Sequence, residues 1–511
     1  MNKLCGFFGR LLLIAFLCVS SAVVVAQQDK TLFLMHELPQ ANIVNPAVGI
    51  KCKFYIGVPV LSSVHFNYSN TLCTVNEAFG SVAGSDSLKL NLQNIVDQTH
   101  KIDLISVEQQ LTLLDFGYRW NRNYITFSVR ENVNFFGTVP QDMVALAWYG
   151  NTHFLGETAN LSGLRVNAVH YREFALGFSR DIDEKWRLGI RAKLLFGKSN
   201  VNTSDYSGEL YTNSTTFAIT TSANYHVNAS GPVDVYTKPD GTIDRVAQKA
   251  NFSVMNYLFN ASNVGLGVDL GAIYKFNDEI TLSASVLDLG AILWSSDVTN
   301  GTASGSYSYQ GEVNGVGTNS GLADSIRNSY KAVLTHSSYL ANLMPRVYVG
   351  GTYRFAEHFN TGATFYSEIL MNKIHSSLGL SLNTIGFSIF SASLLWSAQN
   401  SVYTNIGLGL GAKFGVLHVH ILSDNVPAFF ALDKTRNVNL RFGINLLFGC
   451  SGKNKPDTSR SFSSSQTSPR NTSQKRSLPP AINCPTGGHV NKAKGQTTGY
   501  EPQNRCEAPH E

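Results

Sequence analysis

The chain has 511 residues, of which 15% are charged and 11% are aromatic, and its formal net charge is +5. A charged fraction this far below the roughly 25% usual in soluble proteins argues against two or three soluble domains. Because no apolar run after the N-terminal leader is long enough for a membrane-spanning helix, the composition favours a membrane β-barrel.

The first 26 residues have the pattern of a cleaved export signal. Lys3 and Arg10 give it a positive start, Leu11–Ala26 is apolar, and small residues precede Gln27. The alternative is a membrane anchor, for which the apolar run is too short. We therefore predict a signal peptide over residues 1–26.

The next segment, residues 27–50, is predicted to be a plug-like element ahead of the first strand. It contains the tripeptide Asn45-Pro46-Ala47. Pro46 fixes its own φ and disfavours helix at Asn45, so the tripeptide should form a rigid turn. Two interpretations stay open, a simple turn before the first strand or a piece of an internal plug.

Alternation of apolar residues with polar residues or glycine recurs along residues 27–449 and predicts β-strands. The alternation is clear at Trp186–Phe196, Val264–Phe276, Arg346–Phe355, Ile406–Phe414 and Asn437–Phe448, and shorter or imperfect at Lys53–Pro59, Asn123–Phe136, Phe174–Arg180, Ile280–Val286, Ala363–Tyr366 and Phe387–Trp396. Polar turns at Asp181–Glu184 and Asn277-Asp278 would join neighbouring strands as tight hairpins. We predict an all-β fold, a transmembrane antiparallel β-barrel of about fourteen strands, with about twelve to sixteen as the limits.

Some stretches of the barrel region do not alternate. Helical spacing or a leading proline predicts short helices, as plug or loop elements, at Leu88–Val96, Pro140–Trp148 and Gly321–Leu343. Stretches rich in Ser, Thr, Asn and Gly are predicted to be long loops, which in outer-membrane barrels lie outside the cell, at Asn200–Asn213, Ala229–Asn251 and Ser295–Ser320.

The closing strand shows the two-faced pattern best, because one face is entirely apolar and ends on an aromatic residue. The predicted lipid-facing residues are Val438, Leu440, Phe442, Ile444, Leu446 and Phe448. The opposite face carries Arg441 and three asparagines. An apolar outer face with a polar inner face is typical of an outer-membrane barrel.

The same alternation places a set of charged residues on the predicted lumen side of the strands. They are Arg187, Arg191, Lys193, Asp269, Lys275, Arg346, Arg354, Lys413 and Arg441. One interpretation is a structural network with carboxylates such as Glu131 or Glu173. The other is a cationic pathway that concentrates an anionic or amphipathic solute.

The composition changes after the closing strand. Residues 450–511 contain nine Lys and Arg against four acids and almost no large apolar residue, so we predict a disordered basic tail in the periplasm. It could be merely solvated, or it could tether the barrel electrostatically to peptidoglycan or a periplasmic partner. Five cysteines remain after the signal, Cys52, Cys73, Cys450, Cys484 and Cys506, and their spacing shows neither a metal pattern nor a disulfide framework. An oxidising periplasm would allow a Cys484–Cys506 bridge, and whether these two cysteines pair is left open.

Parts of the sequence resemble a known group. Pro39–Pro59, Gly150–Arg180, Val264–Trp294 and the closing strand are similar to uncharacterised outer-membrane barrels of Bacteroidota that open with an Asn-Pro-Ala segment. These are distantly related to PorV and FadL-type barrels and to the PorP/SprF type. The resemblance implies fold and an outer-membrane location far better than it implies an activity.

Two functions of different classes follow as hypotheses. The first is porin-like or transport-like passage of hydrophobic or anionic small molecules, as for FadL-type barrels. The second is a non-transporting outer-membrane scaffold for an envelope or secretion complex, as PorV and PorP/SprF would imply. No metalloprotease motif or nucleophile elbow occurs, and the one glycine-rich run lacks dinucleotide-binding context. We therefore expect no enzymatic activity, cofactor, metal or nucleic-acid partner, and expect outer-membrane lipid as the surrounding partner.

Overall fold

The computed structural model describes residues 29–81, 88–239, 243–309, 331–371, 373–399 and 402–450. The chain divides into two units, Met1–Ser465 and Gln466–Glu511, and every described residue belongs to the first. The predicted signal peptide, the tail after Cys450 and a possible Cys484–Cys506 bridge lie outside the described residues.

Strands make up most of the described chain. They are β1 (Phe54–Gly57), β2 (Val64–Asn70), β3 (Phe79–Ser81), β4 (Leu88–Leu90), β5 (Ile102–Trp120), β6 (Asn123–Pro140), β7 (Thr158–Asn160), β8 (Arg165–Asp181), β9 (Trp186–Thr212), β10 (Ile219–Ser230), β11 (Val233–Thr237), β12 (Ile243–Gln248), β13 (Asn263–Lys275), β14 (Ile280–Trp294), β15 (Val298–Tyr309), β16 (Lys331–Thr335), β17 (Tyr339–Asn342), β18 (Arg346–Ala356), β19 (Phe359–Leu370), β20 (Lys373–Thr384), β21 (Phe390–Gln399), β22 (Val402–Phe414), β23 (Leu417–Ser423) and β24 (Asn437–Phe448).

These strands close into a barrel. Each barrel strand pairs antiparallel with its neighbours in sequence order, and β24 pairs both with β23 and with the interrupted first strand formed by β1 and β2. Within the described residues the closed sheet has 14 strands, so the predicted fold class and strand number are confirmed. Closure leaves the barrel without an exposed sheet edge.

The two ends of the barrel differ. One end, called the terminus end, carries the start of β1, the end of β24 and short turns such as those after Trp120, Asp181 and Lys275. The predicted hairpins at Asp181–Glu184 and Asn277-Asp278 are confirmed there, because β8 pairs with β9 and β13 with β14. The opposite end, called the far end, carries most of the longer connections and the extra strands.

The long-loop predictions at the far end are wrong over most of their length. β9 continues to Thr212 and pairs with β10, which pairs with β15, and β15 pairs with β16, so the wall extends as a sheet beyond the barrel. β11 and β12 form a separate hairpin. A strand with solvent on both faces needs no apolar alternation, and its backbone hydrogen bonds to neighbouring strands hold it regardless of polar composition. Residues 310–320 of the third predicted loop lie outside the described residues.

The helices are short. They are α1 (Lys30–Leu34), α2 (Ala41–Val44), α3 (Val75–Ala78), α4 (Leu92–Gln98), α5 (Gln141–Tyr149) and α6 (Val254–Leu258), with 3₁₀ turns at Asn151–Phe154, Val426–Phe429 and Leu432–Lys434. In the described part of the chain, no helix has both the length and the apolar character needed to cross a bilayer.

The helix predictions had mixed outcomes. The helix expected at Pro140–Trp148 is confirmed as α5, with Pro140 just before its first turn. The one expected at Leu88–Val96 begins only at Leu92, because the Asn91 side chain accepts from the Asn94 N–H and starts α4 there, after β4. The helix expected at Gly321–Leu343 is wrong over residues 331–342, where β16 and β17 pair with β15 and β14.

A disulfide joins Cys52, just before β1, to Cys450, just after β24. The sequence spacing gave no hint of this pair, because 398 positions separate the two residues. Barrel closure brings them together, since the first and last strands are neighbours. The expectation that the cysteines form no framework is therefore corrected for this pair.

Candidate functional site

The N-terminal segment 29–50, called the plug, lies inside the barrel. Its apolar side chains Leu32, Phe33, Leu38, Ala41 and Ala47 have no exposed surface. They form one core with wall residues from five different strands, namely Ile273, Leu287, Tyr348, Tyr366 and Leu422. A short segment can reach strands around the whole circumference only from within the lumen.

The Asn45-Pro46-Ala47 turn packs directly on the wall. The Asn45 side chain accepts a 2.9 Å hydrogen bond from the Ala47 N–H, which closes the turn. A side-chain carbon at Gly189 of β9 would lie 2.4 Å from the Ala47 nitrogen, and one at Gly271 of β13 would lie 2.2 Å from the Asn45 side-chain oxygen. The turn therefore sits inside the barrel, where two wall glycines leave room for it.

The start of the plug is held by ionic and backbone contacts to β24 and the connection before it. Arg441 donates to both carboxylate oxygens of Asp29, at 2.8 and 2.7 Å. Asp424 accepts from the backbone N–H groups of Lys30 and Thr31, each at 3.0 Å. Burial raises the pKa of the Asp29 carboxyl, but Arg441 and His65 beside it lower the pKa by more, to about 2.

The middle of the plug is held through its backbone carbonyls. Arg191 of β9 donates to the carbonyls of Asn42 and Ile43 and to the Asn42 side chain, and Ser285 of β14 donates to the Val44 carbonyl at 2.6 Å. These carbonyls lie at the end of a short helix and need such donors when buried. The plug is therefore fixed to the wall by non-covalent polar contacts that can be broken and remade.

Ion pairs are frequent among the nine charged residues predicted for the lumen. They include Arg187–Asp181, Arg191–Asp269, Lys193–Asp269, Lys193–Asp288, Lys275–Asp278, Arg346–Asp288 and Arg441–Asp29. Arg354 and Lys413 lie partly exposed near the terminus end. A functional role for these nine charged residues stays a prediction.

Mid-barrel, these pairs merge into one group, called the inner cluster. It comprises Arg130, Glu173, Arg191, Lys193, Asp269, Asp288 and Arg346. Asp269 has no exposed surface and contacts both Arg191, at 2.9 Å, and Lys193, at 2.7 Å. Each cation of the inner cluster therefore has a carboxylate partner, as the first interpretation expects, and the role of the cluster stays a prediction.

Sequence reasoning missed several members of this network. Asp288 has a positive φ of 60° at a bulge in β14, which turns both Leu287 and Asp288 inward. The break in alternation at Leu287-Asp288 was the available signal. Glu173 does lie inside, bonded to Arg130, but Glu131 lies on the outward face of β6 and is no plug partner.

A cavity lies between the plug and the far end. Its lining combines apolar and aromatic residues, including Val169, Tyr171, Ile292, Trp294 and Leu343, with amides, including Gln110, Asn132, Asn134, Asn167 and Asn200. Its floor is formed by Val44 of the plug with Asp29, Glu108, Asp288, Arg346, Glu368 and Arg441. The volume of about 50 Å³ holds about four water molecules, at roughly 10–15 Å³ each.

The outward face of the wall is apolar. On β24 the exposed or half-exposed side chains include Val438, Leu440, Phe442, Ile444 and Phe448, while Asn437, Asn439, Arg441 and Asn445 are buried. Exposed Leu, Ile, Phe, Trp and Tyr side chains continue around the other strands. That these residues contact lipid stays a prediction. Among the described residues, no group of three or more His, Cys, Asp or Glu side chains is placed to hold a metal ion.

The closed strand ring, the apolar outer face and the buried N-terminal segment define the class as a plugged membrane-type β-barrel. The chain belongs to the family described as a family of unknown function, DUF5723, which matches residues 46–424. No protein with a curated description matches the sequence.

Several solved barrels are similar at low identity. The toluene transporter TodX of P. putida is 10% identical over 79% of this chain and 92% of its own, with a TM-score of 0.35. A FadL homologue of Pseudomonas aeruginosa is 10% identical over 81% and 94%, with a TM-score of 0.34. The translocator domain of the autotransporter NalP from Neisseria meningitidis is 8% identical over 78% and 88%, with a TM-score of 0.28. Similarity at these TM-scores supports no conclusion about what this chain does, and the relation to PorV and PorP/SprF-type barrels stays a prediction.

Proposed function

We propose that the protein is an outer-membrane barrel that passes small, uncharged amphipathic molecules when its plug moves. The observation that carries this proposal is the cavity above the plug, which is lined by both apolar residues and amides and has a floor held by non-covalent contacts. Outer-membrane barrels place their termini and short turns in the periplasm, so the cavity would face the outside.

The ion pairs favour an uncharged solute over an anion. Arg346 and Arg441 on the cavity floor are matched by Asp288 and Asp29, so neither presents a lone cationic charge to a solute. An anion would gain little from such a wall and would lose its hydration. A molecule with both apolar and hydrogen-bonding groups could pack on Trp294 and Leu343 while bonding to the amides of the same lining.

Passage requires displacement of the plug, because the cavity ends on Val44 and holds only a few waters. The contacts to be exchanged are those from Arg441, Arg191 and Ser285 to plug residues 29–44. The following residues 50–52 would stay in place, because Arg119 donates to the Ile50 carbonyl and Cys52 is bonded to Cys450.

The test is a plug that can be locked reversibly. A side-chain carbon at Gly409 would lie 2.8 Å from the Thr31 Cγ2 and otherwise meet only the ends of side chains, so Thr31→Cys with Gly409→Cys can form a disulfide between plug and wall. In a background with Cys73, Cys484 and Cys506 changed to Ser, uptake of p-nitrophenyl glucoside into proteoliposomes should be seen in the reduced form and lost in the oxidised form. The background protein, treated with the same reductant, controls for reduction of Cys52–Cys450.

Charge selectivity is measured with p-nitrophenyl phosphate, which adds a negative charge to a solute of similar size. We expect slower uptake of the phosphate than of the glucoside. Uptake of neither solute above that of empty liposomes, in either redox form, would contradict the transport proposal. Faster uptake of the phosphate would instead favour the anionic pathway.

The nearly filled lumen supports a second candidate, a non-transporting scaffold. The far-end sheet of β9, β10, β15 and β16 extends beyond the barrel and offers a surface for an envelope partner. Absence of uptake together with stoichiometric co-purification of one envelope protein would favour this function.

A further inference from the structure

The outward face of the barrel carries a second group of charged residues, called the outer cluster: Glu131, His170, Arg172 and Lys198. Glu131 accepts from the Arg172 Nε at 2.6 Å and from the Lys198 Nζ at 2.9 Å, and its other oxygen is 3.3 Å from the His170 ring. The sequence neighbours of these residues face inward, since Arg130 bonds to Glu173 in the lumen and Tyr171 lines the cavity. Alternation therefore places the outer cluster on the side where the other strands present apolar residues.

Helix α6 and the residues after it cover the outer cluster. The Tyr257 hydroxyl is 2.7 Å from the His170 Nδ1 and 3.2 Å from the Ser199 hydroxyl. Lys198 donates to the Leu258 carbonyl, and the Arg172 guanidinium lies 5.4 Å from the centre of the Phe259 ring. Charged groups facing lipid are costly unless other groups satisfy them, and this segment supplies those groups.

The exposed surface of the covering segment is mainly apolar, with Asn256 as an exposed polar residue. Val254, Met255 and Phe259 are 58%, 62% and 67% exposed. The chain then runs directly into β13, whose first outward residues Val264 and Leu266 belong to the exposed apolar face of the barrel. The segment thus continues that apolar face outward over the cluster.

The position of the cluster along the wall fits a membrane interface. Arg172 lies eight residues from Arg180 at the terminus end of β8, which is about 26 Å along a strand and about 20 Å along the barrel axis at a tilt of about 40°. The apolar band of an outer-membrane barrel is about 25 Å tall. The cluster and α6 therefore lie near the outer edge of that band, where lipid head groups begin.

We propose that the outer cluster and residues 252–259 form a docking surface for a phosphate-bearing lipid of the outer leaflet. The exposed side chains of Val254, Met255 and Phe259 lie among acyl chains. Arg172 and Lys198 carry one more positive charge than Glu131 balances, and this excess attracts the lipid phosphate. Because Lys198 is buried, the partly exposed Arg172 is the cation that the phosphate reaches. The inference goes beyond solute passage and needs only that the barrel spans an outer membrane.

The apolar half of the surface is tested by fluorescence quenching. Met255→Cys, in a background with Cys73, Cys484 and Cys506 changed to Ser, is labelled with bimane and reconstituted in phosphatidylcholine vesicles with brominated acyl chains. We expect strong quenching by the brominated lipid and little by aqueous iodide. Thr215→Cys, in the exposed turn between β9 and β10, is the control and should show the reverse. Quenching of the Met255 label by iodide alone would overturn the proposal.

The phosphate half is tested with detergent-solubilised protein and native mass spectrometry. Diphosphorylated lipid A should be retained more strongly than its dephosphorylated form, by about five-fold for one cation. Lys198→Gln and Arg172→Gln, checked for folding by heat-modifiable gel migration, should lose that preference. Arg180→Gln, an exposed cation at the terminus end of the same strand as Arg172, should keep it.

Equal retention of the two lipids by the unmodified protein would overturn the phosphate assignment without any variant. These outcomes are independent of solute uptake, so a barrel that fails to transport could still bind the lipid. Failure to enter vesicles at all would contradict both proposals.

Discussion

The inner and outer clusters lie on opposite faces of the same strands, yet they are satisfied in different ways. Arg130 and Glu131 are adjacent on β6, as are Arg172 and Glu173 on β8, and each pair sends one side chain inward and one outward. Inside, the strands and the plug supply the described partners. Outside, the strands supply Glu131 as the shared acceptor, and the separate helix α6 lies against the outward face and adds Tyr257 and the Leu258 carbonyl. A charge within a barrel wall is therefore tolerated on either face, but the lipid face requires a dedicated cover.

The largest expected effect comes from breaking the inner cluster at its centre. Asp269→Ala removes the shared partner of Arg191 and Lys193 and leaves two buried cations with one acceptor fewer. We expect the free energy of unfolding to fall by about 3–5 kcal/mol. Urea titration of the protein in lipid vesicles measures it. Asp278→Ala is the matched control, because its partner Lys275 is bonded at an exposed turn and the change should cost under about 1 kcal/mol. Equal losses for the two variants would mean that the shared ion pairs of the inner cluster stabilise the barrel no more than an isolated surface pair does.

The next prediction compares the cost of a charge at two depths on the apolar outward face of β24. Phe442→Arg places an uncovered charge roughly mid-way along β24, and we expect a loss of about 2–4 kcal/mol, whereas Phe448→Arg at the terminus end should cost about 0–1 kcal/mol. Both residues are exposed on the outward face, so side-chain chemistry and local propensity are matched. Folded yield in liposomes and urea titration measure the difference. A larger loss at Phe448 would contradict the predicted lipid-facing register.

A smaller effect is expected when one carboxylate charge is removed from the outer cluster and one from the inner cluster. Glu131→Gln keeps the shape of the outer acceptor but removes its charge, and we expect a loss of about 1.5–3 kcal/mol. Glu173→Gln makes the same change in the inner cluster, where both partners of the pair are almost fully buried, and should cost more. Water and lipid head groups can reach the outer cluster, whose members keep 13–16% exposure at Glu131, Arg172 and His170. If Glu131→Gln proved the more damaging change, the cover by α6 would be tighter than its exposure indicates.

The sequence alone predicts the segments in which apolar residues alternate regularly with polar residues or glycine. The stretches Trp186–Phe196, Val264–Phe276, Ile406–Phe414 and Asn437–Phe448 alternate clearly, so the barrel, its strand number and its short turns could all be predicted. The sequence does not predict features that arise where a bulge interrupts the alternation or where the first and last strands pair. The bulge at Asp288 puts two consecutive residues inside, and the one at Lys198 adds an extra cation to the outward face. Glu131, expected as a carboxylate of a lumen network, lies on the outward face instead, where it pairs with Arg172 and Lys198 beneath α6. Cys52 and Cys450 meet because the ring closes, which no local pattern encodes.

The smallest expected effect concerns the residues after the disulfide. Truncation after Cys450 removes the basic, Ser- and Thr-rich segment and keeps every described contact, including Cys52–Cys450. Because that segment has too few apolar residues to bury a core of its own, its loss should change the free energy of unfolding by less than about 0.5 kcal/mol. Heat-modifiable migration and urea titration measure assembly and stability, and labelling with a maleimide polymer before and after reduction reports whether the disulfide has formed. A truncated protein that does not insert, or that leaves Cys52 open to labelling before reduction, would show that the tail contributes to closing the barrel. Retained insertion with a formed disulfide would limit any role of the tail to contacts outside the barrel, such as peptidoglycan or a periplasmic partner.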